Sequence, residues 1–134
     1  MNQQKTKYDP QTFNGITFHD VTAAFADGSD TPTAYLERCM ETVETREPIV
    51  RAFASLNEKT ARAAGAASTK RWKAGSPLSA IDGMPVGIKD LLETKDMPTQ
   101  MGCKAFEGNF PKNDNAAVLA LRQAGAIIFG KTVT

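Results

Sequence analysis

Asp82-Gly83-Met84-Pro85-Val86-Gly87-Ile88-Lys89-Asp90 sets one lysine at the end of a short apolar run. Val86 and Ile88 are strand formers, and the two-residue period of a strand turns them to one face and Gly87 and Lys89 to the other. Gly83 with Met84-Pro85 ahead of them reads as a turn leading into that strand. A lysine so placed packs its stem and holds its amine in a partly dry site. Burial disfavours the charged form and lowers the pKa. A neutral amine can then take protons that an exposed amine, with a pKa of ~10.4, does not take well at neutral pH. The same residues also fit a lysine that ends a strand and reaches water.

Working outward, the order of elements is helix, strand, helix, strand, which predicts an α/β fold without internal repeats. Upstream, Thr17 is a cap for a short helix with Phe18, Val21 and Phe25 on its apolar face and Gly28 past its end. Thr31-Pro32 starts a second helix, whose Tyr35, Leu36, Cys39, Met40 and Val43 recur at helical spacing until Pro48 stops it. Val50–Leu56 is a strand candidate with Val50, Ala52, Ala54 and Leu56 on one face and Phe53 on the other. Asn57 caps a third helix that runs to about Ala74; its alanines favour helix but bury little, so close, peripheral packing is expected.

Downstream, residues 91–113 read as a long loop, broken by Pro98, Gly102, Gly108 and Pro111. Asp114 can cap a helix that points Val118 and Leu121 inward and stops at Gly125. Ala126–Phe129 is wholly apolar, as a strand covered on both faces should be.

Composition excludes several classes. At 134 residues the chain can form one domain with a real core. Its net charge of +1 offers no field for nucleic acid or an anionic membrane. The basic group Lys70, Arg71 and Lys73 suits a helix carboxyl end, where cations complement the dipole. No apolar run approaches the ~20 residues of a membrane span, and Met1–Pro10 lacks the apolar core of a secretory signal. Cys39 and Cys103 are far apart in sequence, and His19 has no His or Cys near it, so no metal-ligand pattern arises; two free thiols fit a cytoplasmic protein. Gly125–Thr132 matches the phosphate-loop pattern Gly-x-x-x-x-Gly-Lys-Thr letter for letter. That pattern needs a strand before it, a loop inside it and a helix after it. Here a helix precedes it and its interior is a bulky apolar strand, so nucleotide binding is rejected.

Asp82–Asp90, then Leu91-Leu92-Glu93-Thr94 and Met97-Pro98-Thr99, resemble the lysine segment of the amidase signature family. Leu121–Thr132 resembles that family's next helix-to-strand segment, and the upstream helices are compatible but less specific. The resemblance covers most of residues 16–134, after a polar lead-in over 1–15 that is expected to be mobile, and is strongest over 81–134. It implies a partial amidase fold, with amino-terminal helices and the first strands of a mixed sheet flanked by helices. In that family a lysine closes a serine–cis-serine–lysine triad, and Lys89 stands at its position. The implied chemistry is hydrolysis of a small-molecule carboxamide, linear or cyclic, by acyl transfer to serine and then to water, with no metal or cofactor. The family's glycine- and serine-rich stretch is expected beyond Thr134, and no Gly-Gly-Ser-Ser run occurs in these residues. The chain alone is therefore expected to be inactive. The alternative is a non-catalytic piece whose last strand is an open edge that pairs with another copy.

Overall fold

The computed structural model describes Gln11 and residues 18–134. The predicted Thr17 cap, the Phe18 side chain and nearly all of the expected lead-in lie outside the described residues. The elements are helices α1 (Phe18–Asp27), α2 (Pro32–Val50), α3 (Glu58–Lys73) and α4 (Ala116–Gln123), and strands β1 (Phe53–Leu56), β2 (Pro85–Lys89) and β3 (Ile127–Thr132). A short 3-10 turn, Lys104–Phe106, interrupts the long loop. Among the described residues no helix is long and apolar enough to cross a membrane.

The strands form one mixed sheet in the order β1-β3-β2. β3 runs antiparallel to β1 and parallel to β2. The parallel pair is joined through α4, the crossover that parallel strands require. β3 therefore lies in the middle of the sheet, and β1 and β2 are the edges; the expectation that the last strand is itself the open edge is corrected. Because β3 is central, its side chains serve two cores. Ile127 and Phe129 pack with Leu36, Met40 and Ala61 of α2 and α3. Ile128 packs on the other face with Ile88, Met97 and Val118. This explains the unbroken apolar run that the sequence showed.

Four local readings change. Pro48 sits inside α2, which continues to Val50 and ends at Arg51 in the left-handed region (φ 52°), the Arg51 N–H donating to the Glu47 carbonyl. A proline only two residues from the end removes a single helical hydrogen bond, and Arg51 provides the real stop. The first strand accordingly begins at Phe53, so Val50 is helical and Ala52 precedes the strand; within β1 Phe53 and Ser55 face inward, and Ala54 and Leu56 are exposed. α3 is closely packed but not peripheral: Ala61, Gly65 and Ser68 are buried. Gly65 lets α2 approach, since a Cβ there would stand 3.1 Å from Leu36 Cδ2. Finally, α4 is capped by Asn115, whose Oδ1 accepts from the Ala117 N–H at 2.9 Å. Asp114 is otherwise engaged: its carboxylate accepts from the Lys95 N–H at 3.0 Å and lies 3.1 Å from Arg122 Nε. The Asn57 cap of α3 is as expected, accepting from Thr60 N–H.

The turn into β2 is anchored by an ion pair. Asp82, with no exposed surface, accepts from Arg71 Nε at 2.7 Å and Nη2 at 2.6 Å, and from the Leu78 N–H at 2.8 Å. Its carbonyl accepts from Trp72 Nε1 at 2.9 Å. Burial pushes the Asp82 carboxyl up, but the bonds from Arg71 and Leu78 outweigh it and hold the carboxyl below its usual range. Gly125 lies against this pair with φ 91°, and a Cβ there would meet Asp82 Oδ1 at 2.5 Å. Gly125→Ala combines left-handed strain with overpacking and is expected to cost about 2 kcal/mol. Urea denaturation checks this; an unchanged midpoint would refute the close approach.

Candidate active site

Lys89 is the last residue of β2. Val86 and Ile88 turn into the α4-side core while Gly87 and Lys89 take the opposite face, as strand alternation predicted. The Lys89 amine donates to the Val133 carbonyl at 2.9 Å. Lys89 is exposed in this chain. The partly dry amine read from the sequence is therefore not found here: β2 is an edge strand, and no strand among the described residues pairs on its outer side.

Directly behind this lysine lies a second, unanticipated cluster. Asp90 and Lys131 are 2% and 0% exposed, with Lys131 Nζ 3.1 Å from Asp90 Oδ1. The ammonium also donates to Thr99 Oγ1 at 2.7 Å and to the Pro98 carbonyl at 3.2 Å. Gln100 N–H donates to the Asp90 carboxylate at 3.2 Å, and Met101 N–H to the Asp90 carbonyl at 3.0 Å. The long loop is thereby tied to the strand end. A cavity of about 270 Å³ opens there, walled by Asp90, Gln100, Gly102, Cys103 and Val133. The signal for this cluster was present in the sequence: a lysine inside an apolar central strand must find a buried acceptor.

The geometry also explains why the phosphate-loop match is accidental. Ile127–Thr132 is strand, and the amine of Lys131 is enclosed by Asp90, Thr99 and Pro98. Titration with ATP and magnesium is expected to give no saturable heat at millimolar ligand. A Kd in the micromolar range, about −8 kcal/mol, would overturn this.

Comparison with known proteins decides the lineage. A family model described as Amidase matches residues 33–134. The chain belongs to the amidase family. Its curated relatives in that family include a component of the glutamyl-tRNA(Gln) amidotransferase of Myxococcus xanthus, 35% identical over 116 residues, 87% of this chain and 24% of the relative. Among solved structures, an amidase superposes with a TM-score of 0.79 at 33% identity, covering 88% of this chain and 27% of that one. The native peptide amidase from Stenotrophomonas maltophilia superposes with a TM-score of 0.83 at 26% identity, covering 92% of this chain and 26% of that one. The chain thus spans about a quarter of the length of these amidase-family proteins. The mixed α/β architecture is that of the amidase fold.

Proposed function

We propose that this chain supplies the lysine-bearing part of an enzyme that hydrolyses a small-molecule carboxamide, or passes on its nitrogen, by acyl transfer to a serine. The observation that carries this reading is the position of Lys89: the last residue of a strand, its amine outside the core, within the stretch that the family shares. In the complete enzyme the amine would be enclosed, lose charge by desolvation and accept a proton through the cis-serine. It would return a proton to the departing ammonia or amine. The chemistry assigned to these residues calls for no metal or cofactor. Cys39 and Cys103 are not joined in a disulfide, which supports assigning the enzyme to a reducing compartment, the cytoplasm.

Acyl transfer needs an activated nucleophile and donors for the oxyanion. Ser29, Ser55, Ser68, Ser76 and Ser79 are the serines present, and none stands in a glycine-rich run. The 134-residue chain by itself is therefore expected to release no ammonia from a panel of simple amides. Mixing it with a serine-bearing segment of an amidase is expected to restore turnover. Ammonia release by the chain alone, abolished in Lys89→Ala, would show that a complete site is already present. A second reading, favoured by the outer edges of β1 and β2, which no strand among the described residues pairs, is a non-catalytic piece that associates with another copy through an edge. Concentration-dependent sedimentation, without restored activity on mixing, would favour it.

A further inference from the structure

We infer that the buried Lys131–Asp90 pair is a clamp that positions Lys89, and that Lys131 and Asp90 are positioning residues for its amine. This rests on the reading of Lys89 given above. Asp90 follows Lys89 directly, and the polar groups of Asp90 are held on every side. Its N–H donates to the Thr132 carbonyl at 2.9 Å, and its carbonyl accepts from Met101 N–H at 3.0 Å. Its carboxylate takes Lys131 at 3.1 Å and the Gln100 N–H at 3.2 Å. Lys131 in turn directs its ammonium protons to Asp90, Thr99 and Pro98. One ammonium therefore joins three segments: the central strand, the end of β2 and the returning loop.

Stability alone does not account for charges in this place. Burying an ammonium and a carboxylate is costly, and an apolar pair of similar volume is commonly as stable or more so. What the charges add is direction. The carboxylate draws the Gln100 amide in, and the chain then turns back through Met101 (φ 56°) and Gly102 (φ 63°). That turn places the cavity wall beside Val133, whose carbonyl holds the Lys89 amine. Displacing the clamp shifts both ends of the Lys89–Val133 bond. Misplacement of a reacting group by about 1 Å can cost ~10² in rate.

The test uses the 134-residue chain and needs no turnover. Two quantities are measured in the wild type, in Asp90→Asn and in the double variant Lys131→Met with Asp90→Leu. One is amide hydrogen exchange at Gln100 and Met101, referred to Ile128 in β3. The other is acetylation of Lys89 by acetic anhydride, scored by mass spectrometry against the exposed Lys59 of the same molecule. In the double variant, exchange at the two loop amides is expected to rise about tenfold or more relative to Ile128. The Lys89-to-Lys59 ratio is expected to rise about threefold, the effect of one weak hydrogen bond. Asp90→Asn, which leaves the buried Lys131 ammonium without its opposite charge, should raise both ratios at least as far. A folded double variant whose Lys89-to-Lys59 ratio stays at the wild-type value overturns the proposal, whatever its loop amides or melting temperature do. If the double variant does not fold, Asp90→Asn decides by the same readings. A wrong catalytic assignment for Lys89 would show in turnover, separately from these labels.

Discussion

Replacing Lys89 with alanine in the complete enzyme is expected to lower kcat by about 10³, the scale of losing a group that moves protons in the transition state. The fold should hardly change. Lys89 is exposed, and its hydrogen bond goes to the carbonyl of Val133, itself exposed. Changes at such positions fall within about 0.5 kcal/mol. Lys89→Arg separates two roles. Arginine keeps the charge and the reach but cannot give up its proton, so it is expected to be as inactive as alanine if the amine works as a base. Activity in the arginine variant alone would mean that Lys89 acts as a cation. Near-normal turnover in the alanine variant would remove it from the chemistry altogether.

The sequence exposed the parts of this fold that depend on local pattern. The alternation of Val86 and Ile88 against Gly87 and Lys89 needs only the strand period, and the apolar run at Ala126–Phe129 announces a strand covered on both faces. Asn57 reads as a cap because its side chain needs nothing beyond the next turn. The misreadings are the places where a distant partner decides. Asp114 looks as good a cap as Asn115 until Lys95 and Arg122 draw its carboxylate away. Pro48 looks like a stop because the pattern does not show how few residues of helix remain. The place of β3 in the sheet follows from pairing on both sides, which no single segment encodes. The same holds at the candidate site. Lys89 was legible from its strand and from resemblance. Asp90 and Lys131 are far apart in the chain, and only the parallel register of β2 on β3 brings them together.

Removal of Arg71 is expected to lower stability severely. Arg71→Ala leaves the Asp82 carboxylate without exposed surface and without its charged partner, the Leu78 N–H still donating to it. Breaking a buried ion pair from one side costs about 3–5 kcal/mol. The Arg71 side chain is 28% exposed, which places the expected loss near the lower end, about 3 kcal/mol at pH 7. The effect should depend on pH in a defined sense. In the wild type the Asp82 carboxyl titrates below its unfolded value of ~3.9. Its contribution is therefore fully present above that value and is lost as pH falls through the depressed folded one. In Arg71→Ala no opposite charge offsets burial, so the carboxyl takes up a proton at higher pH and the buried charge disappears. The difference in unfolding free energy between the two proteins should thus shrink as pH is lowered from 7 towards 3. Urea denaturation of both across that range measures it. A loss below about 1 kcal/mol at pH 7, or one that stays constant down to pH 3, would mean that the pair does not anchor the turn that carries the strand and its lysine.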